Sequence, residues 1–203
     1  MAGKKHRLFP ERLQKIFFSL LTPVVKVLNK AEIHPNSLTV AGFVITCAAA
    51  VALFRDNLRT GGLLILLGGL CDSIDGNLAR STGKASRFGA MFDSVIDRYS
   101  ELIMFLGITV YFIPKKDYFS LGATFLALCG SIMVSYTRAR AESLGFEPKS
   151  GIMQRAERIV FMGFGALFHP LLFKLSLWLI AVLANITALQ RLRDAARQDD
   201  TGK

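Results

Sequence analysis

The run GGLLILLGGL (Gly61–Leu70) reads as a membrane helix, yet it continues without a break into CDSIDGNLAR (Cys71–Arg80), where two aspartates stand three positions apart. Asp93 and Asp97, four positions apart, follow in the next apolar segment. Residues three or four apart share a helix face, so each pair forms a stripe about one turn long. The Arg80–Arg87 link is short and contains Gly83. It predicts antiparallel neighbouring helices whose four carboxylates converge at one end. Like charges at that spacing repel, and burial adds desolvation. Divalent cations remove the conflict, and oxygen-only ligands without histidine suit Mg2+ or Mn2+ rather than zinc. The usual substrate at such a site is a diphosphate or nucleotide, whose oxygens complete the coordination.

Around these carboxylates the chain is apolar. Of its 203 residues 52% are hydrophobic, with a mean hydropathy of +0.40, and several windows approach the roughly 20 residues that cross a bilayer as a helix. The pattern predicts an all-α polytopic membrane protein, a single domain over residues 1–203. Six transmembrane helices are expected at Asn36–Phe54, Gly61–Arg80, Arg87–Ile113, Tyr118–Ala139, Arg155–Phe168 and Leu171–Gln190. They form a bundle over 36–190, with 191–203 as a cytoplasmic tail. Pro35-Asn36-Ser37 supplies a helix start and Ile113-Pro114-Lys115-Lys116 a stop. The fifth segment is short for a span, so it either begins earlier or is shielded by protein. Upstream, 10–31 mixes LQKIFFSLL and VVKVL with Arg12, Lys15, Lys26 and Lys30. This predicts an interfacial amphipathic helix, bent at Pro23. Met1–Arg12 lacks the apolar core of a cleavable signal.

The net charge of +10 points to membrane lipids rather than nucleic acid, because the basic residues lie between apolar windows and not along one face. Nineteen Lys and Arg fall on the side holding both termini and five on the other, with Arg98 inside the third span. Basic residues favour the cytoplasmic side, so both termini and the carboxylates are expected to face the cytoplasm from the cell membrane. Cys47, Cys71 and Cys129 lack CxxC or CxxH spacing and read as small apolar residues. His34 and His169 adjoin prolines at helix ends and read as interfacial or capping residues, and Trp178 as a packing or lipid-facing one.

Asp72-x2-Asp75-Gly76-x2-Ala79-Arg80-x8-Gly89-x3-Asp93-x3-Asp97 resembles the signature of the CDP-alcohol phosphotransferases, and Pro35-Asn36-Ser37-Leu38-Thr39 resembles the segment that opens their first span. The resemblance implies an interfacial helix followed by six membrane helices, with homodimers common. It also implies transfer of a phosphatidyl group from a CDP-linked lipid to an alcohol, with release of CMP. Asp72, Asp75, Asp93 and Asp97 would then hold a pair of Mg2+ or Mn2+ ions, with Asp97 also the base that takes the acceptor's proton. Asp72, Asp75, Gly76, Ala79, Arg80 and Ser86 would form the CDP-lipid site.

Tyr136-x-Arg138-Ala139-Arg140-Ala141-Glu142 and Arg155-x-Glu157-Arg158 resemble segments of the phosphatidylinositol-phosphate synthase branch, in which a basic triad binds the phosphate of inositol phosphate. Arg138, where lysine is common, with Arg155 and Arg191 would form that triad around a small phosphorylated alcohol. Three guanidinium groups suit a phosphomonoester. Membrane anchoring or pairing with Glu142 and Glu157 are the competing readings of Arg140 and Arg158. Glycerol 3-phosphate is the rival acceptor. Intramembrane prenyltransfer, which also uses aspartates and Mg2+ on diphosphates, is the rival reaction, and release of CMP separates the two.

Overall fold

The computed structural model describes residues 11–147 and 151–200. Among the described residues there are seven helices and no strand: α1 (Glu11–Lys30), α2 (Pro35–Phe54), α3 (Leu58–Ser81), α4 (Arg87–Phe112), α5 (Tyr118–Ser143), α6 (Arg155–Phe168) and α7 (Pro170–Asp200). The expected start of the first helix at Pro10 and the last three residues of the tail lie outside the described residues. α2, α3, α5 and α7 are long and apolar enough to cross a membrane. α4 has the length, at 26 residues, but carries Asp93, Asp97, Arg98 and Glu101, while α6 has only 14 residues.

Local chemistry sets the helix starts. Asn57, Ser86 and Asp117 cap α3, α4 and α5, their side chains accepting from the amides of Thr60, Gly89 and Ser120. His34 caps α2 by accepting from the Asn36 amide, and His169 accepts from the Leu171 amide as α7 begins. α6 opens at Arg155 and no earlier, because the Gln154 amide donates to the Glu157 side chain at 2.8 Å. Glu157 is thus engaged at the helix start. α6 is covered by protein on two sides, packed between α3 and α7. A Cβ on Gly62 would lie 2.7 Å from the Gly163 carbonyl, so the α3 and α6 backbones touch. α7 continues ten residues past Gln190, since RLRDAARQDD has good helix formers and no glycine or proline. Near its end Gln198 clamps the Glu147 backbone, accepting from its amide at 2.9 Å and donating to its carbonyl at 3.0 Å.

One expectation is corrected. α3 and α4, consecutive in sequence, are not packed neighbours; each packs on α2 instead. Small residues make that possible. A Cβ on Gly107 of α4 would stand 2.6 Å from Ala50 Cα of α2, so the two helices approach with no side chain between them. Gly107→Ala is therefore expected to cost about 1–3 kcal/mol and to lower the thermal midpoint in detergent. An unchanged midpoint would refute this close contact. The core lies deeper, where Phe105, Ile108 and Phe112 of α4 meet Phe173, Leu177 and Ile180 of α7 and Ala123 and Ala127 of α5. α1 buries Leu21 and Val25 against Ile74 and Leu78 of α3 and exposes Leu13, Ile16, Leu20, Val24 and Val27. Pro23 lies within this continuous helix.

Candidate active site

Because α2 stands between α3 and α4, the facing stripes of the two helices leave a cavity rather than a packed seam. Asp72, Asp75 and Asp97 line it, with Thr39, Gly42 and Thr46 of α2 forming one wall and Arg155 and Ile159 of α6 another. A Cβ on Gly42 would stand 3.1 Å from Cys71 Cβ, so glycine there lets α2 run close beside the carboxylate stripe. One oxygen each from Asp72, Asp75 and Asp93 lies within 4.8 Å of the other two. Thr39 donates its hydroxyl to Asp75 Oδ2 at 2.6 Å.

Asp93 Oδ1 is buried without a hydrogen-bond partner. A buried carboxylate oxygen with no donor is costly, and a hard cation held between three carboxylates supplies what it lacks. These residues fit a divalent ion.

Asp97 adjoins Asp72. Its Oδ1 pairs with Arg155, whose guanidinium also donates to Asp72 Oδ1, so one arginine bridges the α3 and α4 stripes. Arg155 therefore faces the carboxylates, whereas Arg191 lies among Arg138, Arg158 and Glu142. Arg191 is 6% exposed and donates to the Val134 carbonyl. Arg138 is exposed and donates to Glu142 at 2.8 Å, the one-turn pairing its spacing implies. Arg140 contacts Ser143. Arg158 pairs with Glu101 of α4 rather than with Glu157.

At the mouth, Gly76 and Arg80 share a face one turn apart. A Cβ on Gly76 would have the Arg80 guanidinium as its nearest contact, at 3.4 Å. Ala79 beside them is half-buried and Arg80 exposed. Ser86 caps α4 next to Gly89, whose added Cβ would meet Ser86 Oγ at 3.0 Å and Asn36 Oδ1 at 3.4 Å. Thr39, Arg98 and Glu101 are site residues to which no role falls from sequence. The available signals were a threonine within the Pro35–Thr39 segment and a lone intramembrane arginine that calls for a partner.

Helices of membrane-spanning length around a carboxylate cavity describe a polytopic membrane protein with a candidate cation site. The family model described as CDP-alcohol phosphatidyltransferase matches residues 32–189, and the chain belongs to that family. It is thus an enzyme of phospholipid biosynthesis and an integral membrane protein. An archaetidylinositol phosphate synthase of Pyrococcus horikoshii is 38% identical over 183 residues, covering 90% of this chain and 94% of its own. A phosphatidylinositol phosphate synthase of Mycolicibacterium smegmatis is 35% identical over 185 residues, covering 87% and 83%. Among solved structures, the Mycobacterium tuberculosis phosphatidylinositol phosphate synthase with CDP-DAG bound superposes with a TM-score of 0.78, at 30% identity over 87% of this chain and 94% of that one. The same enzyme with manganese and citrate gives 0.76, at 32% identity over 86% and 88%.

Proposed function

We propose that this enzyme transfers the phosphatidyl group of a CDP-linked lipid to the hydroxyl of inositol phosphate and releases CMP. The observation that carries the reading is the triangle of Asp72, Asp75 and Asp93 oxygens with its unpartnered Asp93 Oδ1, within the stretch that the family model matches. Relatives from an archaeon and a bacterium differ in the lipid part of their names and share inositol phosphate, which favours that acceptor over glycerol 3-phosphate.

Asp72, Asp75 and Asp93, joined by Asp97, would hold Mg2+ or Mn2+, two ions in the full complex. Bound there, the cations neutralise the donor diphosphate and make CMP a better leaving group. Thr39 fixes the Asp75 carboxylate through its hydroxyl, and Gly76 and Ala79, which carry no bulk, would flank the cytidine. Arg80 and Ser86 at the mouth complete the donor site. The acceptor oxygen forms a bond to the lipid-side phosphorus as the bridging P–O bond breaks, and CMP leaves with the bridging oxygen. Asp97 takes the acceptor's proton. As an aspartate near cations is a weak base, it acts late, when the hydroxyl has become acidic. With Asp72 and Asp97 held by cations, the Arg155 guanidinium would be free to face the acceptor phosphate, which Arg138 and Arg191 would bind with it.

All six helices α2–α7 cross the membrane in this reading. α1 lies at the interface on its exposed apolar face, and the nineteen-to-five bias of basic residues puts the site and both termini on the cytoplasmic side. A radiolabelled CDP-lipid assay against a panel of free and phosphorylated alcohols tests the acceptor. Arg155→Ala is expected to raise the KM for inositol phosphate about tenfold to a hundredfold, the worth of one charged hydrogen bond, with a far smaller change for the donor. An unchanged acceptor KM would remove Arg155 from the phosphate pocket.

A further inference from the structure

One turn beneath the carboxylates, α4 and α6 are joined by charge rather than by packing. The two helices are not packed along their length, yet two ion pairs cross between them. Asp97 meets Arg155 at the site, and Glu101 meets Arg158 one turn deeper. Steps of four on α4 and three on α6 put both rungs on facing stripes. The deeper rung is sealed, with Glu101 3% and Arg158 1% exposed. Glu101 Oε2 also stands 2.9 Å from Arg98 Nη1; the Arg98 guanidinium reaches Ser135 of α5 and lies 3.8 Å from Asp97. Glu101 further lines the carboxylate cavity, as Arg155 does.

Stability alone does not call for such a rung, since an apolar pair of similar volume is often as stable or more so. A buried ion pair does fix register, because any slip leaves a charge unpaired in the membrane interior. Arg155 and Arg158 share the first turn of α6, so pinning one sets the base of the other. We propose that Glu101 is a positioning residue: through Arg158 it holds the first turn of α6 so that the Arg155 guanidinium stands beside Asp72 and Asp97, within reach of an acceptor phosphate. The proposal rests on the reading of Arg155 as a phosphate-binding residue.

The test uses the full chain in detergent or bilayers. Glu101→Gln alone would strand the Arg158 charge, so the main variant is Glu101→Gln/Arg158→Gln, a neutral pair that can still hydrogen-bond. Its KM for inositol phosphate is expected to rise about tenfold or more, as for a misplaced binding group. The KM for CDP-lipid and the Mn2+ affinity read by electron paramagnetic resonance should stay within about twofold. Phenylglyoxal labelling of Arg155, located by mass spectrometry, should speed up as its guanidinium loses its fixed place. Glu101→Asp, which keeps the charge on a shorter arm, should fall between parent and double variant, and it carries the same comparison if the double variant does not fold. An acceptor KM unchanged in these variants but raised in Arg155→Ala would overturn the positioning role while leaving the phosphate reading intact. If Arg155→Ala itself changes nothing, the phosphate reading fails, and unchanged labelling of Arg155 would then dispose of the positioning role separately. A uniform loss of donor, acceptor and Mn2+ binding would make the rung purely structural and also overturn the proposal.

Discussion

Asp97→Asn is expected to abolish measurable CMP release, a fall of about 10²–10⁴-fold, the usual contribution of a positioned general base. CDP-lipid binding should persist. Asparagine has the same shape and still accepts a hydrogen bond from Arg155 through its side-chain oxygen, but it cannot take a proton. The triangle of close carboxylate oxygens comprises Asp72, Asp75 and Asp93 without Asp97, so the variant keeps the ligands best placed for a first ion. Release of labelled CMP measures turnover, and equilibrium binding of the CDP-lipid in the presence of Mn2+ measures the donor site. Turnover near that of the parent would exclude Asp97 as the base, and joint loss of binding and turnover would make it primarily a ligand.

Asp93→Asn carries the other large effect, in two opposite directions. It should abolish activity and weaken Mn2+ binding, because Asp93 Oδ1 is the buried oxygen left without a donor. The same change should modestly stabilise the metal-free protein, since asparagine removes a half-buried charge that stands against Asp72 and Asp75. The parent should gain thermal stability with Mn2+, about 2.7 kcal/mol at a hundred times its Kd, and lose its activity to a chelator. The variant should show little of that gain. A chelator-treated parent that kept its rate would defeat metal dependence altogether. A variant less stable than the parent under chelation would show that Asp93 has a partner of its own.

Sequence carried the fold far because its signals are local. Asn36–Phe54, Arg87–Ile113 and Arg155–Phe168 begin and end within a residue of α2, α4 and α6, since caps, prolines and apolar runs act over a few positions. The aspartate stripes were legible for the same reason. The gap between α3 and α4 was not, because a short link implies adjacency and nothing in it reveals that both helices prefer α2, which glycines such as Gly42 and Gly107 permit. Pairings between distant segments stayed hidden as well. Arg155 reaches Asp72 across 83 positions and Arg158 reaches Glu101 across 57, and no spacing rule links residues so far apart. Arg138–Glu142, a pairing within one helix, could be read directly.

The arginines on the carboxylates bear on how such a chain reaches its shape at all. Asp72, Asp97 and Glu101 each meet a guanidinium from Arg98, Arg155 or Arg158. Much of the acidic charge around the cavity is thus matched by cations of the same polypeptide. With the proposed metal site, this lets the bundle assemble before any ion is loaded.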